Sequence, residues 1–305
     1  MIVALAGGVG AAKLLVGLSK ILKPEELTVI VNTGDDIQLH GLHVSPDLDI
    51  AMYSLAGIAD ETKGWGIKGD TFHCLEALNR FTGNEWFNLG DKDLATHIFR
   101  TNLLRSGATL TEATQEIACA LSVKPKILPM TDDKFETRVT TKQGTIHFEE
   151  YMVKKGAKDE VLGVEFYGSD KAQPAEGVLE AIENAERVVV CPSNPVVSIS
   201  TILSVKLIRQ ALQHAKVPKV AVSPIIAGSP VKGPADKLLR GLGYEVSAFG
   251  VAELYMDFLG TFVIDVADAS EKKRIEKLGI KVELAETMMR NLDDKIRLAK
   301  AVLDA

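Results

Sequence analysis

Apolar runs and segments of helical period alternate along most of the 305-residue chain. Residues 2–6 form a short apolar run that stops at a glycine, which predicts a buried parallel strand. Leucine and isoleucine then recur at helical spacing over residues 11–22 until Pro24 ends the pattern, and residues 27–31 are a second apolar, β-branched run. This order predicts a strand–helix–strand unit with a right-handed crossover.

The same alternation returns further along the chain. Helices are predicted over residues 49–58, 71–81, 94–108, 111–121 (with Thr111 as a cap), 177–186, 199–214 and 236–241, strands over 187–191 and 217–223, and a β-hairpin over 138–153 with a turn at Gly144. The pattern predicts an α/β fold: a doubly wound, mainly parallel Rossmann-like sheet with a helix-rich insertion and a small β-hairpin. We expect a single domain over residues 1–305, with the insertion over 60–160.

The amino-acid composition limits the kinds of molecule that the protein is expected to bind. The formal net charge of −6 and the pI near 5.6 disfavour nucleic acid and anionic membranes as partners. Three widely spaced cysteines, Cys74, Cys119 and Cys191, indicate neither a disulfide framework nor a zinc site. The chain shows no leader-peptide pattern and no apolar stretch of about 20 residues, so a membrane is not an expected partner. We therefore expect a cytoplasmic protein.

An acidic, glycine-punctuated segment follows the second predicted strand. Residues 32–48 show neither period clearly, and ligands of open α/β sheets bind at the carboxyl ends of strands, so we expect this segment to be a functional loop. With the next residue it supplies four carboxylates: Asp35, Asp36, Asp47 and Asp49. Carboxylate oxygens suit magnesium, which usually binds through one or two of them together with substrate phosphates. The alternative is that Asp35 or Asp36 caps a turn and that Asp49 is a helix N-cap.

A glycine-rich turn joins the first predicted strand to the first helix. Gly7, Gly8 and Gly10 leave room for backbone N–H groups to approach a phosphate at the positive end of the helix. In that interpretation Lys13 points at the same phosphate. The turn is neither a complete dinucleotide fingerprint nor a Walker A loop. The alternative is an ordinary tight turn with Lys13 in solvent.

Two later loops repeat this arrangement, each after a predicted strand. Ser193, Asn194 and Ser198 offer hydroxyl, amide and N–H groups at the start of a helix, and residues 223–234 form another loop rich in glycine and proline. Loops that follow neighbouring parallel strands share one edge of the sheet. Together with the glycine turn, these loops predict one nucleotide-sized crevice.

An aromatic and polar cluster lies between two predicted helices. Trp86 is suited to stacking on a planar ring, with the Asn88 amide hydrogen-bonding to the edge of that ring. The alternative is a loop held by a buried tryptophan. His40 and His43 lack the further nitrogen or sulfur ligands that zinc prefers, which favours a structural part for both.

At these residues the sequence resembles the 2-phospho-L-lactate transferase family of coenzyme F-420 biosynthesis. The matching stretches are residues 6–10, 32–36, 41–49, 89–97, 192–198 and 223–226, of which 41–49 is the most specific. Ala11, and Ala227 with Gly228, depart from patterns that are common in relatives. Both departures are small residues in loops, so the expected fold is unchanged.

The resemblance implies a reaction, its substrates and its cofactor. The acceptor is the terminal ribityl hydroxyl of the deazaflavin FO (7,8-didemethyl-8-hydroxy-5-deazariboflavin). The donor is a guanosine diphosphate ester of lactate or of a related three-carbon acid, and GMP is the product that leaves. Members of the family need Mg²⁺ and are commonly homodimers.

The resemblance also implies roles for residues of this chain. It places Asp49 and Asn88, with Trp86 beside them, at the deazaflavin, and the insertion over 60–160 in the acceptor site. The residues implied to hold the guanosine donor are Gly7, Gly8, Gly10, Lys13, Ser193, Asn194 and Ser198. Asp36 and Asp49 are the expected catalytic pair and Mg²⁺ ligands, and Asp49 is the first choice to accept the ribityl proton. The roles of Asp49 as base, metal ligand and acceptor anchor stay open.

Two other functions are compatible with the same fold. One is a non-catalytic, nucleotide-sugar-binding regulatory protein, against which residues 41–49 and the cluster at Trp86 and Asn88 count. The other is a dinucleotide oxidoreductase, which the incomplete glycine fingerprint disfavours.

Overall fold

The computed structural model describes residues 1–83 and 86–305, and its first strand begins at Ile2. The strands are, in chain order, β1 (Ile2–Ala6), β2 (Leu27–Val31), β3 (Ile37–Leu39), β4 (Leu42–Val44), β5 (Lys126–Pro129), β6 (Glu136–Thr141), β7 (Gly144–His147), β8 (Gly163–Tyr167), β9 (Arg187–Val190), β10 (Lys219–Val222), β11 (Ile225–Ile226), β12 (Ser229–Pro230), β13 (Thr261–Asp265) and β14 (Lys281–Ala285).

Helices connect most of these strands. The α-helices are α1 (Gly8–Ser19), α2 (Pro46–Leu55), α3 (His73–Thr82), α4 (Asp91–Arg105), α5 (Leu110–Ala120), α6 (Val178–Glu183), α7 (Thr201–Ser204), α8 (Lys206–His214), α9 (Ala235–Gly241), α10 (Ala248–Tyr255), α11 (Lys272–Glu276) and α12 (Leu292–Asp304). Short 3₁₀ segments lie at Pro24–Glu26 and Val266–Glu271, and π-helical segments lie at Glu150–Lys154 and Pro195–Ser200.

Seven strands form the central sheet, and all of their pairings are parallel. Their order across the sheet is β14-β13-β10-β9-β1-β2-β5. From β1 the chain builds outward to β2 and β5, and it then returns to the other side of β1 for β9 and the strands that follow. This reversal confirms the predicted doubly wound α/β fold. It also opens a crevice between the loops after β1 and β9, because those loops leave in opposite directions.

Both faces of the central sheet are buried. Val3 and Leu5 of β1 are fully buried in the core on one face, and Ala4 is fully buried on the other. Helices α1, α2, α5 and α12 cover the Ala4 face, whereas α6, α8, α9 and α10 cover the Val3 face. Strands buried on both sides are continuous apolar runs, which is why hydrophobicity alone predicted β1, β2 and β9.

We expected residues 60–160 to form one insertion, but β5, a strand of the central sheet, lies within them. β5 pairs in parallel with β2, and the pattern did not predict it because Lys126–Pro129 is short and contains a lysine and a proline. Helices α3, α4 and α5 precede it. After it, β6, β7 and β8 form a separate antiparallel sheet. The hairpin predicted over 138–153 therefore ends earlier and gains a third strand.

The acidic segment contains regular structure that its polar pattern concealed. β3 and β4 form an antiparallel hairpin within residues 32–48, so the expectation of an irregular loop was wrong. Helix α2 begins at Pro46, because the missing N–H of proline costs nothing in a first helical turn. Asp49 therefore lies in the first turn of α2 and is not its N-cap. Similarly, α5 is capped by Thr109 and not by Thr111.

The helix predicted over residues 199–214 is broken. Helical segments Pro195–Ser204 and Lys206–His214 meet at 87°. Within the described part of the chain, no single helix is long and apolar enough to cross a membrane, and this bent pair meets the length and composition criteria only when its two segments are taken together.

Helices α1 and α12 approach each other closely at Gly17. A Cβ atom on Gly17 would lie 2.2 Å from the carbonyl oxygen of Lys295 in α12 and 3.2 Å from the Cβ of Ala299. Any larger residue would force the two helices apart. This contact fixes α1, and with it the glycine turn at the start of α1.

We expect Gly17→Ala to lower the free energy of unfolding by about 1–3 kcal/mol, because the added methyl group overpacks the contact. A loss of stability would distinguish this contact from an ordinary helix position, because replacing glycine by alanine in a helix interior normally stabilises it by about 1 kcal/mol. Gly260→Ala is the matched control, because a Cβ there meets only the Lys219 carbonyl oxygen, at 3.6 Å. Chemical denaturation measures both variants, and a Gly17→Ala protein as stable as wild type would contradict the prediction.

Candidate functional site

A cavity of about 490 Å³ opens where the strand order reverses between β1 and β9. This volume is typical of small-molecule sites. The glycine turn after β1, the start of α2 and the loop after β9 all contribute to its wall. The predicted site residues that line it are Gly7, Gly8, Gly10, Lys13, Asp49, Asn88, Ser193, Asn194 and Ser198. Asp36 and Trp86 are not among the lining residues.

Side chains already engage the first N–H groups of the glycine turn. The Gly7 N–H donates to Ser193 Oγ at 3.1 Å, and a Cβ on Gly7 would lie 2.7 Å from the Cβ of Ser198, so the loops after β1 and β9 are in direct contact. Gly8 has a φ of +71°, which favours glycine, and its N–H donates to Asp47 Oδ1 at 2.8 Å. A carboxylate of the protein itself therefore lies at the positive N-terminus of α1.

The loop after β9 is held by its own polar groups. Asn194 Oδ1 accepts the N–H groups of Val196 at 3.0 Å and Val197 at 3.2 Å, which caps the helical segment that follows. Gly10 is required for packing against the same loop, because a Cβ there would lie 2.2 Å from the Pro192 carbonyl oxygen. The two loops therefore form one rigid wall.

Two lysines line the cavity. Lys13 Nζ donates to the Met289 carbonyl oxygen at 3.1 Å, and Lys232 Nζ donates to the Lys63 carbonyl oxygen at 3.0 Å. Partial burial, and then the charge of Lys13, lower the pKa of Lys232. Each ammonium group has three donors and uses one of them in these bonds. Two neighbouring cations with free donors suit a ligand with several phosphate oxygens.

Three cavity carboxylates, Asp35, Asp47 and Glu149, are balanced by no cation among the described residues. They are only 4%, 7% and 8% exposed, and all three line the cavity. Asn32 Nδ2 donates to Asp35 Oδ2 at 3.1 Å and to Asp47 Oδ2 at 2.8 Å. Over residues 1–83 and 86–305, Asp35 Oδ1 has no hydrogen-bond partner and none of the three carboxylates forms an ion pair.

Burial and mutual repulsion shift the titration of these groups. Burial, and then the charges of Asp47 and Glu149, raise the pKa of Asp35 well above its usual value. Burial raises the pKa of Asp47 to about 6, although the hydrogen bond from Asn32 lowers it. Burial and the charges of Asp47 and Asp36 raise the pKa of Glu149 to about 8. A divalent cation bound among them would relieve this repulsion.

Asp36 is engaged within the protein. Its Oδ2 accepts a hydrogen bond from Ser45 Oγ at 2.7 Å and lies 2.8 Å from His43 Nε2. Its Oδ1 is buried and has no partner within the described residues. These contacts link the turn after β2 to β4. They give His43 the structural part that the sequence analysis favoured.

A buried arginine holds Asp49 at the cavity wall. Two guanidinium nitrogens of Arg100, which lies in α4 and is 0% exposed, donate to the two Asp49 oxygens, one of them at 3.1 Å. His97 Nδ1 lies 3.6 Å from Asp49 Oδ2, and His97 Nε2 lies 3.3 Å from Asp93 Oδ1. The Tyr53 hydroxyl donates to the same Asp93 oxygen at 2.7 Å. The bidentate pair fixes the orientation of the Asp49 carboxylate.

Two groups of side chains have the ligand chemistry of a metal site. Asp49, Asp93 and His97 bring possible ligand atoms within 4.8 Å of one another. However, Arg100 already neutralises Asp49 and would repel a second cation. Within residues 1–83 and 86–305 the cavity carboxylates have no such counter-charge, and Asp35 keeps an unpartnered oxygen, although ligand atoms from all three do not lie within 4.8 Å of one another. Asp35 and Asp47 therefore suit a hard divalent cation better than the predicted pair of Asp36 and Asp49.

Apolar side chains line much of the remaining cavity. They include Trp65, Phe87, Phe148, Met152 and Val153. Asn88 also lies in the wall. Phe87 lines the cavity at this point, whereas Trp86 is not among the lining residues. The Trp86 ring contacts the Phe87 ring edge to face, with centroids 5.6 Å apart. Stacking of Trp86 on a substrate stays a prediction.

A family model described as 2-phospho-L-lactate transferase CofD matches residues 2–300. The chain belongs to the 2-phospho-L-lactate transferase family. This confirms the resemblance on which the sequence analysis relied, and it identifies the protein as a transferase. Membership also favours an enzyme over a nucleotide-sugar-binding regulatory protein.

Full-length relatives carry two different names. The chain is 44% identical over 299 residues to a 2-phospho-L-lactate transferase from Methanosarcina acetivorans, covering 98% of this chain and 97% of the relative. It is 40% identical to a protein of that name from Methanocaldococcus jannaschii, covering 100% and 97%. It is also 44% identical over 308 residues to a phosphoenolpyruvate transferase from Streptomyces avermitilis, covering 99% and 97%. Relatives of equal similarity therefore carry the names of transferases for two different acids.

A solved structure shares the fold. A member of the UPF0052 family from Bacillus halodurans superposes with a TM-score of 0.68 at 18% identity, covering 99% of this chain and 98% of that one. At this identity the likeness concerns the fold alone.

The sequence analysis did not single out Arg100, Glu149 or Lys232. Arg100 lies three residues after His97 on one helix, so helical spacing beside a matched stretch was an available signal. Glu149 and Lys232 are far from the acidic segment along the chain, so sequence spacing could not predict that they lie close to it in the fold.

We expect Arg100→Met to destabilise the protein by about 3–5 kcal/mol, because Asp49 is left buried and unpaired. Adding Asp49→Asn should recover part of this loss, since the unpaired charge is then removed. Arg240→Met is the control: its ion pair with Asp236 is exposed, so we expect a loss below about 1 kcal/mol. Chemical denaturation measures all four proteins. A double variant no more stable than Arg100→Met alone would disprove the charge argument.

The raised pKa of Glu149 predicts a pH dependence for the metal-free protein. Between the ordinary value of 4.5 and about 8, the folded state binds this proton more tightly than the unfolded state, so stability falls as pH rises through this window. Glu149→Gln removes that fall. We expect the variant to match wild type near about pH 4 and to be more stable above about pH 8 by on the order of 2–4 kcal/mol. Denaturation in a chelator over this pH range measures the difference, and parallel profiles would contradict it.

Proposed function

We propose that the protein transfers a phosphorylated three-carbon acid from a guanosine diphosphate ester to the ribityl hydroxyl of the deazaflavin FO, with release of GMP, in coenzyme F-420 biosynthesis. One observation carries this proposal: the glycine turn and the loop after β9 line the same cavity as Asp49 and Asn88. A donor and an acceptor held by these residues would meet in one enclosed space, as group transfer requires. The names of the relatives support the class of acid.

The donor is assigned to the glycine turn and the loop after β9. Lys13 and Lys232 supply two cations for the diphosphate, which offsets the acidic character of the chain. Ser193 and Asn194 hold these loops in place through their side-chain oxygens. The Asn194 side-chain NH₂ has no protein partner in the described part of the chain, so it is a free donor at the cavity wall.

The acceptor is assigned to the wall formed by α2 and the segment before α4. Arg100 fixes both oxygens of Asp49, and a carboxylate has lone pairs left for the hydroxyl groups of a ribityl chain. Asp49 is therefore assigned as the acceptor anchor. Phe87 offers an apolar face to the deazaflavin ring, and Asn88 offers its amide to the ring edge.

In the transfer, the ribityl oxygen forms a bond to the phosphorus that carries the acid. The bond from that phosphorus to GMP breaks, GMP keeps the electron pair, and the hydroxyl proton passes to the Asp49 carboxylate and from there to solvent. The protein contributes in-line positioning and charge neutralisation. Mg²⁺ held by Asp35 and Asp47 would supply positive charge for the phosphate oxygens. This assignment replaces the expected pair of Asp36 and Asp49, because Asp36 is not among the residues that line the cavity and the charge of Asp49 is balanced by Arg100.

Compartment and assembly complete the proposal. Cys74, Cys119 and Cys191 are all free thiols, which supports a cytoplasmic enzyme. The resemblance to the family supports a homodimer.

The test is incubation with FO, Mg²⁺ and either the guanosine diphosphate ester of lactate or that of enolpyruvate, followed by mass spectrometry. The expected products are GMP and FO that carries the phosphorylated acid. The two possible FO products differ by two hydrogen atoms, so the spectrum also identifies the acid. A folded, magnesium-loaded protein that forms neither product would overturn the proposal.

We expect Asp49→Asn to raise the KM for FO about tenfold or more, because a charged hydrogen-bond partner is lost, while the KM for the donor changes less. Asp236→Asn, on the surface in α9, is the control. Steady-state kinetics with each substrate varied in turn separates the two constants. A wild-type KM for FO in Asp49→Asn would remove Asp49 from the acceptor site.

A further inference from the structure

We propose that Asp93 is a second carboxylate of the acceptor site, which accepts a hydrogen bond from one hydroxyl of the ribityl chain while Asp49 accepts from another. This inference rests on the proposed function in taking FO as the acceptor. It adds a binding residue that the sequence did not indicate. It also gives a physical reason for selecting a polyhydroxylated chain, because two charged acceptors at a fixed separation suit two hydroxyl groups and not an alkyl chain.

Asp93 has one engaged and one free carboxylate oxygen. It lies in the first turn of α4, is 8% exposed and lines the cavity. Its Oδ1 accepts the Tyr53 hydroxyl at 2.7 Å and lies 3.3 Å from His97 Nε2. Over residues 1–83 and 86–305, its Oδ2 accepts no hydrogen bond and forms no ion pair. Because leaving a largely buried carboxylate oxygen without a donor is costly, a ligand hydroxyl would complete its contacts.

The surrounding groups hold the Asp93 carboxylate in one orientation. Arg100 Nη1 lies 3.4 Å from His97 Nδ1, and a guanidinium can only donate, so the ring proton of His97 lies on Nε2, which faces Asp93. Tyr53 and His97 therefore both direct a donor at Oδ1. The backbone is fixed as well, since the Asp93 N–H donates to Asp70 Oδ2 at 3.0 Å. An acceptor that is already oriented loses little entropy when a ligand binds.

Asp93 is suited to binding and not to proton transfer. Burial raises the pKa of Asp93, but His97 and the hydrogen bond from Tyr53 outweigh burial, so the pKa lies below its usual value. A carboxylate with a lowered pKa is a weak base, yet it remains a charged hydrogen-bond acceptor. Tyr53 and His97 act on the ligand only through Asp93, which makes them positioning residues.

Asp49 and Asp93 line the cavity as a pair. An oxygen of one lies within 4.8 Å of an oxygen of the other, a separation that two hydroxyl groups of one sugar-alcohol chain can span. His97 belongs to the same cluster, and these three side chains have the ligand chemistry of a cation site. However, the guanidinium of Arg100 already supplies positive charge there. Neutral donors such as hydroxyl groups meet no such repulsion.

The test is isothermal titration calorimetry of the full chain with two ligands. One ligand is FO, and the other is the same deazaflavin ring carrying a pentyl chain without hydroxyl groups. The proteins are wild type, Asp93→Asn, Tyr53→Phe and the matched control Asp293→Asn. Asp293 is exposed in the first turn of α12, so its substitution removes the same charge from the same position of a helix without touching the cavity.

We expect Asp93→Asn to weaken FO binding about tenfold or more, because a neutral amide replaces a charged acceptor. The affinity for the pentyl ligand should stay unchanged, since that ligand has no hydroxyl group for Asp93 to hold. Tyr53→Phe should weaken FO binding less than Asp93→Asn does, because it loosens the carboxylate and leaves its charge. Asp293→Asn should bind both ligands as wild type does.

Wild-type FO affinity in Asp93→Asn would overturn the inference, and so would an equal loss of both ligands, which would mean a purely structural part. If Asp93→Asn does not fold, Tyr53→Phe makes the same comparison, and an unchanged difference between its two ligands would overturn the inference. Mn²⁺ binding without FO, followed by electron paramagnetic resonance, should be unaffected by Asp93→Asn, and a loss would make Asp93 a metal ligand instead. A wild-type protein that does not bind FO would overturn the proposed function itself.

Discussion

The Asp47 carboxylate joins three segments at the edge of the central sheet. One oxygen accepts the N–H of Gly8 at the start of α1, the other accepts from Asn32 after β2, and Asp47 itself lies in the first turn of α2. Parallel strands bring these segments to one edge without setting the distances between them. A buried carboxylate with directional acceptors sets those distances, so the shape of this wall of the cavity depends on Asp47.

The aspartates of the acidic segment differ in function because their counter-charges differ. Asp49 meets the buried guanidinium of Arg100, which makes it a fixed, oriented hydrogen-bond acceptor. Asp35 and Asp47 accept only neutral donors, the amide of Asn32 and, for Asp47, the N–H of Gly8, so within the described residues their charge remains available to a ligand. Four carboxylates that look equivalent in the sequence are thus separated by side chains that reach them from elsewhere in the fold.

Sequence alone was sufficient where burial on both faces makes a strand a continuous apolar run, as in β1 and β2. It failed at β5, a four-residue strand with a lysine and a proline, and at the β3–β4 hairpin, whose two strands have three residues each and are buried only at Val44. In the site, spacing and the family resemblance predicted parts for Asp49 and the two loops, all of which line the cavity. Arg100 and Glu149 were not predicted because the fold brings them to the cavity from segments that are distant in sequence.

The contact at Gly17 has a consequence for the order of events during synthesis. Helix α1 carries the glycine turn at its N-terminus, yet its backbone packs directly against α12, which emerges from the ribosome only after all seven strands of the central sheet. Until then the Gly17 face of α1 lacks its partner, and contacts of such long sequence separation form slowly. The position of the glycine turn at the start of α1 is therefore fixed only once nearly the whole chain has been made.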